Sequence, residues 1–243
     1  MVVVHSSLRS VGPIEGGAGT LVEAFLEVLG SSGLLVAPTF TYYSNVFDHA
    51  HSPSVTGTFP EIVRAWPGAV RSMHPTHSVA VIGDRAAQCC AGHELVGAVS
   101  AGSPLEWLAA SGGWVLLIGV GHNRNTTIHT AECLAPAFYL DMPQSPDAWE
   151  TAMLRVDGQE HEIELKERPG CSVGFGAIEG LLRQRGAIRD GRLGRSYTQA
   201  MRGADVIAAG IDMLRADPTA LLCSDPSCYR CTSARALFES MLR

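Results

Sequence analysis

The pair formed by His129 and Glu132 is the first candidate for catalysis in this sequence. Its members are three residues apart, and positions with that spacing lie on the same face of a helix. An imidazole oriented by a carboxylate is suited to act as a general base near neutral pH. A solvated histidine beside a surface glutamate is the alternative that the two residues leave open when taken alone.

A second candidate is the polar segment His74-Pro75-Thr76-His77-Ser78, which precedes an apolar run. Its two imidazoles and two hydroxyls are suited to binding phosphate, polarising a carbonyl or coordinating a metal ion. Pro75 favours an extended backbone at the residue before it. No carboxylate lies nearby in the sequence, so the support for a metal is weak, and a plain turn from loop to strand is an equally good interpretation.

Hydroxyls also follow the first apolar run, in His5-Ser6-Ser7, and a glycine-rich turn at residues 12–19 comes next. Hydroxyls and free backbone N–H groups at such a place can hold a pyrophosphate. The turn lacks the Gly-Lys-Ser/Thr of a P-loop, and the segment from Gly119 to Arg124 has an arginine where a dinucleotide fingerprint needs its third glycine. These departures disfavour nucleotide-dependent oxidoreduction.

The cysteines give a weaker signal. Seven are present, and three of them, Cys223, Cys228 and Cys231, have C-x4-C-x2-C spacing. Three thiols this close can bind zinc if Cys171 or a histidine supplies the fourth ligand. Only one C-x-x-C is present, without a second pair at the spacing of a zinc ribbon. Reduced cysteines are therefore the favoured interpretation, and no metal site is assigned.

Short apolar runs alternate with longer helical stretches, which indicates an α/β protein with a largely parallel sheet. The predicted strands are 2–4, 34–37, 79–82 and 114–120, and residues 153–165 predict a hairpin that turns at Asp157-Gly158. Predicted helices are 20–29, 104–110, 176–184 and 200–215. A further helix, capped by Asn125 or Thr126, carries the His–Glu pair. It begins at the carboxyl end of the sheet, where sheets of this type bind their ligands. Residues 39–60 predict a long loop. Because no repeat or linker is visible, we expect residues 1–243 to form a single domain.

The composition sets the class of protein. The chain of 243 residues is 46% hydrophobic and 17% charged, with a formal net charge of −6, which is typical of a folded soluble protein and argues against general binding to nucleic acid or to anionic membranes. No window has the roughly 18 apolar residues of a membrane span. The first residues resemble a strand and not a signal peptide, and seven cysteines are an odd number for a disulfide framework. We therefore expect a cytoplasmic protein.

The order of these motifs resembles the aminoglycoside 3-N-acetyltransferase family. The stretches that carry the resemblance are Val4-His5-Ser6-Ser7-Leu8, Pro38-Thr39-Phe40-Thr41, Ser52-Pro53-Ser54, the segment from His74 to Ala80, Ser103-Pro104-Leu105, the segment from Gly119 to Asn123, and the segment from Asn125 to Glu132. They run from about Val2 to beyond Tyr139. The segments that contain His77 and His129 are the most specific of them.

The resemblance implies a three-layer α/β/α sandwich with a mostly parallel mixed sheet. It implies acetyl-CoA as the donor and the 3-amino group of a 2-deoxystreptamine aminoglycoside as the acceptor. By the same resemblance His129 is the general base and Glu132 orients it. The residues expected to line the CoA site are Ser6, Ser7, Leu8, Thr39, Thr76, His77, Ser78 and Val79. A homodimer is possible.

Charge alone adds further expectations. Arg9 and Arg71 are predicted to contact the CoA phosphates. A polycationic acceptor needs acidic groups around it, and Asp48, Glu61 and Asp141 are the predicted ones. His74 and Asn125, from the two most specific motifs, are assigned to the same acceptor site.

Three alternatives remain open, in this order. The first is an acetyl-CoA-dependent N-acetyltransferase of the same fold that acts on a different amine. The second is a zinc-dependent hydrolase that uses His74, His77, His129 and Glu132. The third is a CoA-binding module without catalysis, in which His129 is dispensable.

Overall fold

The computed structural model describes residues 1–143, 145, 148–166 and 169–243. Its strands are β1 Val2–Ser6, β2 Leu35–Pro38, β3 Val46–Asp48, β4 Val70–Arg71, β5 Val79–Ile82, β6 Trp114–Ile118, β7 Thr151–Val156, β8 Gln159–Glu164, β9 Arg189–Leu193 and β10 Ser196–Arg202. Its α-helices are α1 Leu8–Val11, α2 Ala18–Leu29, α3 Thr58–Arg64, α4 Ala86–Cys90, α5 Pro104–Ala110, α6 Thr127–Leu134, α7 Ile178–Gln184, α8 Gly203–Ala216 and α9 Tyr229–Met241. Short 3-10 helices cover His93–Leu95, His122–Arg124 and Val173–Ala177.

The main sheet has a parallel centre and antiparallel flanks. Its strand order is β4-β5-β2-β1-β6-β10-β9. Strand β1 pairs in parallel with β2 and with β6, whereas β5 on one side and β10 on the other pair with this centre in the antiparallel sense. The sheet is mixed, as expected, but the prediction of a mostly parallel sheet is corrected, because the outer strands reverse. The three central strands end at the same edge.

Helices cover both faces of this sheet and complete three layers. On one face, α2 and α3 pack their buried residues Val22 and Phe59 against strand residues such as Val4 and Leu35. On the other face, α4 to α9 pack against the strand residues that alternate with those of the first face, for example Val3 and Val36. Side chains alternate between the faces of a strand, so continuous apolar runs such as Val2–Val4 supply both cores. The predicted three-layer α/β/α fold is confirmed.

A small second sheet, β3-β7-β8, lies outside the main one. Strands β7 and β8 form the predicted hairpin, with Val156 paired to Gln159. Both turn residues have positive φ, 50° at Asp157 and 76° at Gly158, as the tight turns preferred in hairpins require.

Two predicted elements are corrected. The helix predicted over residues 200–215 begins at Gly203, because Ala200–Arg202 complete strand β10, which pairs with β6. The loop predicted over residues 39–60 contains strand β3 and the start of helix α3. Short apolar runs do not distinguish a buried strand from a helix by periodicity alone.

No helix within the described part of the chain is long and apolar enough to cross a membrane.

Candidate active site

A cavity of about 1110 Å³ opens at the carboxyl edge of the three central strands. Residues at or just beyond the ends of β1, β2 and β6 form part of its wall, among them Ser6, Pro38 and Gly119. Gly119 has a φ of +62°, and a Cβ there would come within 1.7 Å of the Ser10 hydroxyl. Only glycine fits this turn, which leads the chain from β6 toward α6.

His129 and Glu132 lie on α6 as the spacing predicts, and they are in direct contact. Nδ1 of His129 is 2.5 Å from Oε2 of Glu132. The other carboxylate oxygen accepts a hydrogen bond of 2.8 Å from the Tyr139 hydroxyl. Both members of the pair are buried, and His129 lines the cavity. With Nδ1 engaged by the carboxylate, Nε2 is the nitrogen left for a ligand in the cavity.

The surroundings fix this pair in one orientation. The ring of Phe175 packs edge-on against the His129 ring, with centroids 4.5 Å apart. Burial, and then the neighbouring Glu132, raises the pKa of the Tyr139 hydroxyl above its ordinary value, so that Tyr139 stays protonated and donates to the carboxylate. Thr126 occupies the N-cap position of α6, as predicted, although its side chain makes no capping hydrogen bond.

His74 and His77 line the cavity, and His93 stacks behind them, with its ring centroid 4.8 Å from that of His74. Nδ1 of His74 accepts a hydrogen bond of 3.1 Å from the backbone N–H of His77, and Nδ1 of His77 is 2.8 Å from the Thr76 hydroxyl. Burial, followed by the charges of His129 and His93, lowers the pKa of His77 to about 3. Burial, followed by the charges of His93 and His77, holds the pKa of His74 well below its ordinary value. These imidazoles are neutral at physiological pH.

Most residues predicted from the first motif do line the cavity: Ser6, Ser7, Leu8 and Arg9, together with Thr76 and His77 of the second motif. Two buried polar atoms there, the Ser6 hydroxyl and Nε2 of His5, have no hydrogen-bond partner among the described residues. Burial lowers the pKa of His5 to about 4, which keeps it neutral. Because an unpaired buried polar group is costly, both atoms favour a ligand group at this end of β1.

Arg71, predicted as a phosphate contact, is buried and lies outside the cavity wall. Its guanidinium is directed into the protein, where it donates to the Ser78 hydroxyl at 3.0 Å and to the carbonyls of Ser52 at 2.6 Å and Thr39 at 3.0 Å. Burial lowers the pKa of Arg71 to about 10. Thr39, Ser78 and Val79, also predicted for the CoA site, are buried and form this network and the adjoining strand instead of the cavity wall.

The predicted acceptor residues are dispersed. His74 lines the main cavity, but Asp48, Glu61 and Asn125 do not. Asp48 accepts hydrogen bonds from the backbone of its own turn, and Glu61 pairs with Arg64. Asn125 is fully buried beside His122. The structure therefore does not bring these three residues to the main cavity, and their part in acceptor binding stays a prediction.

Asp141 lines a second, shallower cavity of about 940 Å³. Glu150 and Glu164 are part of the same wall, and Leu165 and Lys166 belong to the walls of both cavities. The second cavity is therefore acidic, and it adjoins the first.

Sequence reasoning missed several residues of the main cavity. Arg124 and Lys166 add positive charge to its wall, and Tyr42 and Trp149 add aromatic surface. Tyr42 directly follows the Pro38-Thr39-Phe40-Thr41 motif, which was a usable signal, whereas Trp149 lies outside every motif and reaches the cavity only through the fold. Ser172 stands in Gly170-Cys171-Ser172-Val173-Gly174, the Gly-x-Ser-x-Gly spacing of serine hydrolases. Its hydroxyl donates to the Asn123 carbonyl at 2.8 Å and not to a histidine, so it lacks the base of a nucleophile.

The metal set of a zinc hydrolase is not formed in the described part of the chain. Among the described residues, one group of three or more His, Cys, Asp or Glu side chains is placed to hold a metal ion, and its members are all cysteines. His74, His77 and His129 line one cavity, with Glu132 in contact with His129, without forming such a group.

Comparisons with known proteins show the family. The family model for aminoglycoside 3-N-acetyltransferases matches residues 3–215. Aminoglycoside N(3)-acetyltransferase IV of Salmonella sp is 31% identical over 225 residues, which are 91% of this chain and 83% of that protein. Aminoglycoside N(3)-acetyltransferase III of Serratia marcescens is 28% identical over 254 residues, 88% of this chain and 90% of that protein.

Solved structures give the same answer. The apoenzyme of AAC(3)-IVa matches with a TM-score of 0.83 and 31% identity, over 97% of this chain and 89% of that one. A histidine-to-alanine variant of AAC(3)-IVa in complex with a gentamicin matches with the same TM-score and 30% identity, over the same shares of the two chains. AAC-VIa bound to sisomicin matches with a TM-score of 0.75 and 26% identity, over 89% of this chain and 91% of that one.

Together, fold, site and relatives define the class of protein as an acetyl-CoA-dependent acyltransferase. The chain belongs to the aminoglycoside 3-N-acetyltransferase family. The predicted family and enzyme class are confirmed.

Proposed function

We propose that the protein transfers the acetyl group of acetyl-CoA to the 3-amino group of a 2-deoxystreptamine aminoglycoside, with His129 as the general base. The observation that carries this proposal is the contact between His129 and Glu132 at the cavity, which leaves Nε2 of the imidazole for the acceptor amine. Relatives that were crystallised with gentamicin and sisomicin support an aminoglycoside as the acceptor.

The chemistry follows from that contact. An acceptor amine is largely ammonium at neutral pH and must lose a proton before it can attack. Nε2 of His129 takes this proton, and Glu132 stabilises the resulting imidazolium. The amine nitrogen bonds to the thioester carbon and the C–S bond breaks. The imidazolium returns its proton to the departing CoA thiolate, and the second proton of the acylated nitrogen passes to solvent, so that the products are the neutral amide, CoASH and one free proton. The attack is direct, without an acyl-enzyme.

The thioester oxygen gains negative charge during the attack and needs a donor. The Ser6 hydroxyl is suited to this role because it is buried at the cavity wall and has no partner among the described residues. The Thr76 hydroxyl is less suited, because it already contacts Nδ1 of His77 at 2.8 Å. We therefore propose Ser6 as the oxyanion donor.

Charge divides the two substrates between the two cavities. The main cavity has the cationic side chains Arg9 and Arg124 in its wall, which suit the phosphates of CoA. The adjoining cavity has Asp141, Glu150 and Glu164, of which Glu164 pairs with Lys166 at 3.2 Å, and the remaining negative charge suits the ammonium groups of a polycationic acceptor. We propose that the aminoglycoside extends toward these carboxylates while its reacting amine reaches His129.

The direct test is thiol release from acetyl-CoA against a panel of aminoglycosides, with the acetylated nitrogen located by NMR. Release that depends on a 2-deoxystreptamine acceptor and gives the N3-acetyl product supports the proposal. Acetylation of a simpler amine, without any aminoglycoside product, makes the protein an N-acetyltransferase of the same fold with another acceptor. Binding of CoA without turnover on any amine leaves a CoA-binding module.

Location and assembly stay predictions. None of the seven cysteines, all of them among the described residues, forms a disulfide, in keeping with the cytoplasmic location predicted from the sequence. A homodimer is tested by light scattering.

A further inference from the structure

Four cysteines, which we name the thiol cluster, converge outside the His129–Glu132 pair: Cys171, Cys223, Cys228 and Cys231. Their sulfur atoms all lie within 4.8 Å of one another. Four thiolates at the Zn–S distance of about 2.3 Å would be about 3.8 Å apart in a tetrahedron. The cluster therefore needs a contraction of about 1 Å at most to reach this geometry.

The fold brings these thiols together from three segments. Cys171 precedes the 3-10 helix Val173–Ala177, Cys223 ends the turn after α8, and Cys228 and Cys231 begin α9. The backbone N–H of Cys223 donates to the sulfur of Cys231 at 3.4 Å. N–H groups aimed at sulfur stabilise negative charge on it, as a metal-bound thiolate requires.

We propose that the thiol cluster binds one structural Zn²⁺ as a closed tetrathiolate site. Each of the four thiols loses its proton on binding, and the four thiolates with the dication carry a net charge of −2. Four sulfur ligands in a tetrahedron select zinc or iron among the common metals, and a set with no open position and no water suits a structural ion and not a catalytic one. Cys223 and Cys231 are buried, whereas Cys171 and Cys228 are partly exposed, which leaves a route for the ion.

The ion would fasten the C-terminal helix to the wall of the active site. Next to Cys171, Gly170 lies so close to Arg230 of α9 that a Cβ on the glycine would be 2.1 Å from the arginine Nε. Arg230 donates at 3.0 Å to the carbonyl of Tyr139, whose hydroxyl holds Glu132. On the other side of the cluster, the 3-10 helix carries Phe175, which packs against His129.

Metal content tests the proposal directly. Protein produced with zinc supplied and purified under reducing conditions is expected to contain one zinc per chain by mass spectrometry of the metals. The variant C228S/C231S is expected to lose this zinc, and the matched variant C89A, which removes a thiol outside the cluster, is expected to keep it.

A second measurement covers the case in which the double variant does not fold. Wild-type protein stripped of metal and given Co²⁺ alone is expected to show the visible bands and the sulfur-to-metal charge-transfer band of tetrahedral cobalt thiolate. The Tm of the stripped protein is expected to rise again when Zn²⁺ is added, but not when Mg²⁺ is added. Wild-type protein that takes up neither metal, that holds iron in the cluster, or whose four thiols react with a thiol reagent equally fast with and without Zn²⁺ would overturn the proposal.

Discussion

Two sets of buried histidines lie at the main cavity, and the sets differ in whether a carboxylate contacts the imidazole. His129 forms the first set, and His74, His77 and, behind them, His93 form the second. His129 has a carboxylate, Glu132, at 2.5 Å. Within the described residues, His74, His77 and His93 contact hydroxyls, backbone groups, one another and, at His77, the Phe40 ring, but no carboxylate. Burial lowers the pKa of His93 to about 4 and that of His77 to about 3, so these rings stay neutral.

The difference separates two tasks that an imidazole can perform. A ring beside a carboxylate can hold the proton of an acceptor amine during attack, because the carboxylate stabilises the imidazolium. A neutral ring in a network of hydrogen bonds can shape the wall without adding charge next to that imidazolium. His77 is close enough to His129 for the charge of His129 to lower the pKa of His77, so a neutral His77 adds no repulsion to an imidazolium formed at His129 during the reaction.

Removing the carboxylate of Glu132 should have the largest effect on turnover, because it removes the contact that distinguishes His129 from the other histidines. In Glu132→Gln the side-chain amide can donate to Nδ1 of His129, which places the ring proton on Nε2 and prevents that nitrogen from accepting one. We expect kcat to fall by roughly 10²–10⁴, as measured by thiol release, with the KM for acetyl-CoA unchanged. A KM effect without loss of kcat would assign Glu132 to substrate binding instead.

Burial of neutral histidines should make the free energy of unfolding depend on pH. His5, His77 and His93 take up protons in the folded protein only near pH 4, 3 and 4, whereas an unfolded histidine does so near 6.5. Between these values the unfolded chain binds more protons, so the stabilisation is complete above about pH 6.5 and is lost as the pH falls. Urea unfolding should show a loss on the order of 1–2 kcal/mol per histidine from pH 7 to pH 5. An unfolding free energy that stays constant over this range would contradict neutral burial.

A smaller effect is expected from the tyrosine that supports the carboxylate. Tyr139→Phe removes the hydrogen bond to Oε1 of Glu132 while keeping the ring. Hydrogen bonds to charged groups contribute about 1.5 kcal/mol or somewhat more, so we expect kcat to fall about tenfold. Tyr197→Phe, at an exposed tyrosine that contacts Asp190, is the matched control and should retain wild-type turnover.

Local spacing explains which parts of the site were predictable. His129 and Glu132 share a helix face, so three residues of separation were enough to pair them. Tyr139 comes seven residues after Glu132, beyond the end of α6, and reaches it through a turn in which the Ala137 N–H donates to the Glu132 carbonyl. The hydrophobic periodicity of the sequence does not show that the chain turns back and brings Tyr139 to Glu132.

Charge was the least informative signal. Arg9 and Arg71 were given the same role from charge alone, yet one lines the cavity and the other is buried in a network of carbonyls. Cys171 joins cysteines more than fifty residues away; the sequence offered it as a fourth ligand, but spacing alone did not favour it over a histidine. In the fold itself, the apolar central strands were identified, whereas β9, with its run of charged residues, was not.

The central claim is that His129 is the base, and turnover of His129→Ala tests it most directly. With the acceptor that gives the highest activity, kcat for thiol release should fall by about 100-fold or more, while the KM for acetyl-CoA stays at the wild-type value. His161→Ala, at an exposed histidine of the β7–β8 hairpin, should match wild type. A His129→Ala variant that turns over at the wild-type rate would contradict the account.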